Sequence, residues 1–191
     1  YRVRVKNGIC DEAIGNAVTI TASPAAVAGT LSGAATVGYG VNSTGLTLTG
    51  SYGTVTWLSS VNGTTYTAVS GAGSLATYTA TNLTQSTYYR ALLTSGACTD
   101  TSNAVLITVD DRSVGGTLNG SDTVCTNSNS TTLELTGQVG NVVKWQYSTV
   151  SDFSSDTMDL YITATSLLVE NLTATRYYRV MVQSGSSDPA F

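Results

Sequence analysis

The side chains able to do chemistry are few and far apart. Three cysteines, Cys10, Cys98 and Cys125, form no CxxC pair, and the chain has no histidine. Without imidazole there is no Ser-His-Asp or Cys-His nucleophile system, and the commonest zinc ligand is missing. The cysteine spacing matches no metal site. Asp152, Asp156 and Asp159 offer the oxygens that calcium prefers, but in no calcium-loop spacing, so they read as a solvated acidic turn. Asp110 and Asp111 form a second acidic pair, in a connector. Glycoside hydrolysis would need two carboxylates converging in a cleft, whereas the few acids here fall in turns and linkers. The reading is of a protein that is not an enzyme and has no cofactor and no metal site.

The elements that carry these residues are β-strands. Of the 191 residues only 10% are charged, with a net charge of −4, which is the opposite of a nucleic-acid footprint. Thr, Ser, Gly, Val and Ala dominate and there are only 2 prolines, a strand-and-turn composition. No apolar run reaches the ~18 residues of a membrane span. The opening Tyr1-Arg2-Val3-Arg4-Val5 reads as a strand with no signal peptide ahead of it, so the sequence is expected to begin inside a longer polypeptide.

Comparing the chain with itself gives a period of roughly 87 residues. Gly29-Thr30-Leu31 recurs as Gly116-Thr117-Leu118, and Asn42-Ser43-Thr44 through Leu48-Thr49-Gly50 as Asn129-Ser130-Thr131 through Leu135-Thr136-Gly137. Val55-Thr56-Trp57 matches Val143-Lys144-Trp145; Asn82-Leu83-Thr84 and Tyr88-Tyr89-Arg90 match Asn171-Leu172-Thr173 and Tyr177-Tyr178-Arg179. Residues 1–22 repeat the end of the unit: Tyr1-Arg2 and Cys10 match Tyr89-Arg90 and Cys98, and Ala17-Val18 matches Ala104-Val105. The expected organisation is the C-terminal strands of one repeat (1–22), a complete repeat (23–109) and a repeat lacking its last strand (110–191).

Within the complete repeat, Leu46 and Leu48 alternate with Thr, and Val55, Trp57 and Ser59 share a face. Asn62-Gly63 reads as a type I′ hairpin turn, since these residues tolerate positive φ. Leu75, Thr77 and Thr79 share one face of the next strand, with Tyr78 on the other. About seven short strands at this spacing predict an all-β fold of β-sandwich repeats. Trp57 and Trp145 are the predicted core tryptophans. Leu83, Thr87 and Tyr89, and Leu172, Arg176 and Tyr178, carry a spacing that resembles the tyrosine corner of fibronectin III-like and immunoglobulin-like domains. In such a corner the hydroxyl ties a strand to the loop before it. Arg90 and Arg179 point outward and are expected to lie on neighbouring Tyr or Trp rings.

The phrases N-L-T-x-x-x-Y-Y-R, S-G-x-C, A-V-x-I-T-V, T-V-C-x-N and V-x-W-Q-x-S, taken in order, resemble the Ig-like repeats of giant Bacteroidetes cell-surface adhesins of the SprB gliding-motility type. The resemblance implies export to the outer surface by a type IX secretion system and a long filament that grips a substratum. It implies neighbouring repeats and an extracellular substratum or surface glycans as partners. It also implies one cysteine ahead of the second strand of a unit and one in the last hairpin. The first position is Gly38 in the complete repeat and Cys125 in the next; the second is Cys98 and, in the next, Ser187. Three readings stay open: bonds within a unit of which each repeat has lost one half, bonds between successive units, and free thiols. Asp122-Thr123-Val124 and Asp156-Thr157-Met158 resemble the D-[ST]-apolar O-glycan acceptor of the same bacteria, making Thr123 and Thr157 candidates. The N-x-[ST] matches at Asn42, Asn62, Asn82, Asn119, Asn129 and Asn171 read as products of a Thr-rich composition. Tyr39, Tyr52 and Tyr66 are candidates for a sugar-stacking surface, against an ordinary role in loops and core. The alternatives to an adhesive module are a carbohydrate-binding or accessory module of a polysaccharide-degrading enzyme, and a passive spacer.

Overall fold

Alternation decides which side chains meet. In β5 (Ser43–Thr49) the two leucines turn inward and Thr47 between them faces water. The computed structural model describes residues 1–191. In it β5 is the centre of an antiparallel sheet, flanked by β3 (Thr30–Ser32) and β8 (Thr77–Thr81). A second sheet runs in the order β4 (Ala35–Val37), β11 (Val105–Val109), β9 (Thr87–Ser95), β6 (Thr54–Ser60), β7 (Thr67–Ala68). A further strand, β10 (Cys98–Thr101), also pairs with β9. Leu31, Leu46, Leu48 and Ala80 of the first sheet and Trp57, Ala91, Leu93 and Ile107 of the second share one core, so the unit is a β-sandwich. Its first strand is split: β3 pairs antiparallel with β5, while β4 crosses over to pair parallel with β11. That sheet switch is an immunoglobulin-like feature. It turns on Gly33, whose φ of 120° and closeness to Leu46 leave no room for a Cβ.

The second unit repeats the plan with β12 (Thr117–Asn119), β13 (Ser130–Thr136) and β16 (Ser166–Glu170) in one sheet. The facing sheet holds β15 (Met158–Leu160), β14 (Asn141–Ser148) and β17 (Tyr177–Gln183). Its core gathers 8 buried apolar residues against 12 in the first unit, because nothing in it corresponds to β4 and β11. Ahead of both units, β1 (Arg4–Val5) and β2 (Ala13–Ile14) form a hairpin with no buried residue. The Tyr1 amine and the Val18 amide donate to each other's carbonyls at 2.7 and 2.8 Å. This sets Tyr1 opposite Val18, as Tyr89 stands opposite Val105 in the first unit.

Both tryptophans are at most 1% exposed, and each indole N–H donates to a backbone carbonyl, Leu75 O and Ala164 O, both at 3.0 Å. Leu75 itself is 71% exposed, and the inward face of β8 is Tyr78 and Ala80. The repeat match at Val55 needs a correction. Val142 takes the buried place and Val143 is partly exposed, because a β-bulge between Val142 and Lys144 absorbs one extra residue and keeps Trp145 inward. The turn after β6 also departs from the sequence reading. Gly63 has φ 70° but Asn62 does not have positive φ, and pairing with β7 resumes only at Ser59↔Thr67. Ser60 Oγ accepts the amides of Asn62 and Gly63, and Asn62 Oδ1 those of Thr64 and Thr65, so side chains take the donors a tight hairpin would have used.

A repeated asparagine holds one end of each unit. Asn42 Nδ2 donates to Gly38 O and Leu83 O, both at 2.7 Å, and Asn42 Oδ1 accepts the Leu83 amide at 2.9 Å. Asn129 does the same with Cys125 O, Leu172 O and the Leu172 amide. The turn each one clamps contains Asn82 or Asn171 with φ near 55°, a conformation asparagine adopts more readily than other non-glycine residues. Replacing Asn42 by Ala leaves a partly buried amide and two carbonyls without this partner, so Asn42→Ala should cost about 1–3 kcal/mol. Asn129→Ala should behave alike. Urea unfolding followed by tryptophan fluorescence measures both, and a loss within experimental error of zero would refute the clamp.

Candidate functional site

Short connectors and small polar residues bring the far end of the first unit against the last loop of the second. Asp110 continues β11, its amide donating to Val37 O at 2.9 Å. Its carboxylate accepts the Ser186 amide at 2.6 Å and lies against Gly185, capping the turn of the second unit. Ser187 is 2% exposed, and its hydroxyl donates to Asp111 O at 2.8 Å while accepting the Tyr39 amide at 2.9 Å. Buried Ser113 accepts the Ser184 amide at 2.9 Å. Gly38 packs against the Ser186–Ser187 backbone, where a Cβ on Gly38 would come within 2.8 Å of Ser187 Cα. The start of the first unit carries the equivalent contact: Gly96, the repeat partner of Gly185, lies against Ser23, the repeat partner of Asp110.

The structure disperses the other candidates. Cys10, Cys98 and Cys125 are all free; Cys10 and Cys125 are exposed and Cys98 is half-buried. Thr123 is exposed, whereas the Thr157 hydroxyl donates to Phe153 O at 3.1 Å. Tyr39 and Tyr52 flank opposite ends of β5, and Tyr66 lies beneath Arg90, so the three make no common surface. Tyr89 and Tyr178 do not tie their hydroxyls to the backbone of the preceding turn, as a tyrosine corner would. Tyr89 is instead a core ring, 5.7 Å from Tyr78, and burial pushes its phenol up to about 12. The loop-tying role belongs to Asn42 and Asn129, whose amides are committed. The signal was present in the sequence, since the asparagines recur at matching places in both units. A cleft of about 360 Å³ in the second unit lies between Leu118, Leu133, Val169 and Tyr178. It occupies the flank that β4 and β11 close in the first unit.

A model of the family described as Domain of unknown function (DUF8696) matches residues 27–111 and 114–191, one match per sandwich. The chain belongs to the DUF8696 family. No curated protein sequence matches it. Among solved structures it is similar to titin domains A168-A170, at 14% identity and TM-score 0.48, covering 98% of this chain and 71% of that one. It is also similar to the chicken CNTN1 FN1-FN3 domains, at 13% identity and TM-score 0.38, covering 99% and 72%. A two-domain fibronectin type III segment of chicken tenascin matches at 15% identity and TM-score 0.33, covering 85% and 95%.

The two DUF8696 units also differ on the outer face of the sheet that holds β6 or β14. In the first, the Arg90 guanidinium lies 3.8 Å from the Tyr66 ring centre. In the second, Arg179 sits 4.2 Å from both Phe153 and Phe191 and donates from Nε to Gln146 Oε1 at 2.7 Å. Gln146 passes the polarity on, its amide donating to Asp159 Oδ1 at 2.7 Å, and Lys144 Nζ reaches Asp159 Oδ2 at 2.7 Å. The hydrogen bond from Lys144, and then that from Gln146, hold the Asp159 carboxyl below its usual value of 3.8. The partners of Asp152 and Asp156 are different: the Ser154 amide and the Thr149 hydroxyl. A carboxyl depressed in the folded state stabilises above its unfolded pKa, and that stabilisation is lost as pH falls through the folded value. The urea midpoint of the native chain should therefore exceed that of Asp159→Asn at pH 7. The gap should close as pH drops below 3.8; a gap constant across that range would exclude the ion pair as its source.

Proposed function

We propose that this chain is a structural and adhesive segment of a long cell-surface filament, exported to the outer surface and used in surface attachment and gliding motility. The observation that carries the reading is the joint between units. Four hydrogen bonds, donated by the loop to Asp110, Asp111 and Ser113 and to it by Tyr39, seat residues 184–187, and Ser23 with Gly96 supplies the matching contact at the other end of the first unit. A joint of this kind lets an array gain length while each unit folds locally. The order of the repeat phrases, similar to SprB-type adhesins of Bacteroidetes, supports the extracellular setting. The partners proposed are neighbouring repeats and an extracellular substratum or glycan, with Thr123 the more accessible of the two O-glycan candidates. We assign no catalysis to it: the carboxylates of Asp110, Asp152 and Asp156 serve turns and those of Asp100 and Asp159 bind strand neighbours. A sugar-binding module would need the flat aromatic face that scattered Tyr39, Tyr52 and Tyr66 do not make.

Beads coated with antibody against residues 27–111 and placed on live cells of the source organism test the reading. Beads that attach and travel along the cell are the expected result. Beads that attach and stay still would remove gliding and leave static attachment; beads that never attach would overturn the surface assignment.

A further inference from the structure

The three cysteines occupy only two repeat positions, and the joint between units brings those two positions together. Cys10, Cys98 and Ser187 are repeat equivalents in the last hairpin, while Gly38 and Cys125 are equivalents ahead of the second strand. Within one unit the two positions belong to opposite ends of the sandwich. Across the joint they touch: Gly38 packs on the backbone at Ser187, and the next amide, Tyr39, donates to Ser187 Oγ at 2.9 Å. We infer that Cys98 and Cys125 are halves of disulfides between successive units, Cys125 bonding the last-hairpin cysteine of the unit after it and Cys98 the cysteine ahead of the second strand of the unit before it. The joint seen here is the variant in which both halves are lost. Serine puts an oxygen where the sulfur would be and replaces the covalent bond by two hydrogen bonds. Glycine removes the facing side chain and lets the loop settle closer than a disulfide allows, since bridged Cβ atoms stand ~3.8 Å apart.

Each bridge forms when two thiols lose two protons and two electrons to a disulfide oxidant, which is itself reduced to two thiols. The inference rests on the tandem joint and an oxidising setting, and is independent of adhesion or gliding.

The test uses the whole 191-residue chain carrying Gly38→Cys and Ser187→Cys, with Cys10, Cys98 and Cys125 retained, incubated with oxidised glutathione. The expected result is one new cross-linked peptide joining positions 38 and 187, with neither of these two cysteines carrying glutathione. Each single variant should yield no such peptide. Since the loop must shift to accept a Cβ at position 38, Tyr39→Cys with Ser187→Cys serves as a second pair, the Tyr39 amide lying 2.9 Å from Ser187 Oγ. It should cross-link in the same way. A folded chain in which neither pair cross-links, or in which the new thiols bond Cys98 or Cys125 instead, would overturn the inference. So would a native multi-unit polypeptide whose peptide map shows Cys98 bonded to Cys125.

Discussion

In each unit one asparagine side chain bonds two carbonyls and one amide at the start of the second strand, and the end of the sandwich is built on those three bonds. Asn42 fixes Gly38 on one side and the turn at Leu83 on the other. Gly38 and Tyr39 then form the floor on which Ser187 of the next unit rests, while Asp110, aligned by its bond to Val37, holds the loop from above. Local capping and the contact between units are therefore one continuous hydrogen-bonded structure. Such bonds contribute only ~1 kcal/mol net each, but the partners of Asn42 are partly buried, which raises the cost of leaving them unpaired.

The same economy explains how a chain with 10% charged residues keeps its edges in order. Long charged side chains are rare, so short polar ones bond directly to the main chain. Asn103 pairs with both the amide and carbonyl of Leu31, and Asp100 accepts the Ala28 amide, pinning the first strand to the last hairpin. The Ser102 hydroxyl accepts the Ala91 amide where β10 breaks into β11. Short side chains lose little conformational entropy when ordered, so these bonds are cheap to form. The tryptophan at the centre of each core supplies the apolar counterpart: a large buried ring whose one polar atom already has a carbonyl to meet.

Much of this was legible in the sequence. Alternation identified Leu46, Leu48, Val55 and Trp57 as strand residues, and all four are buried. The outward arginines were expected on Tyr or Trp rings; Arg90 does lie on Tyr66, whereas Arg179 lies on Phe153 and Phe191. The errors arose where two short-range forces compete. Asn62-Gly63 has the residues of a type I′ turn, but Ser60 and Asn62 capture the amides first. The extra residue before Trp145 shifts the pairing of Val55 from Val143 to Val142, because a bulge costs less than turning the tryptophan outward. The tyrosine-corner spacing placed Tyr89 on the right strand, but spacing does not say where a hydroxyl will find a partner. The joint was the least legible part. Gly38 and Ser187 stood out as repeat positions of cysteines, but Ser113 looks like any of the chain's many serines, and even its burial is shared with Ser60, Ser102 and Ser148.

The proposed staples also change how an array would carry tension. With hydrogen bonds alone, a pull along the chain enters a unit at its first strand and leaves by its last, and the sandwich bears the load through pairings such as that of β4 with β11. With a bond from the position of Gly38 to that of Ser187, tension entering the first unit crosses directly to the last hairpin of the second. The strands between these points are then bypassed and stay folded under load. A joint that has exchanged both sulfurs for Gly38 and Ser187 lacks this bypass, so it is the place where the array yields first. Gly38 and Ser187 would in that case mark a compliant joint set among stapled ones, with its stiffness governed by the few hydrogen bonds around the 184–187 loop.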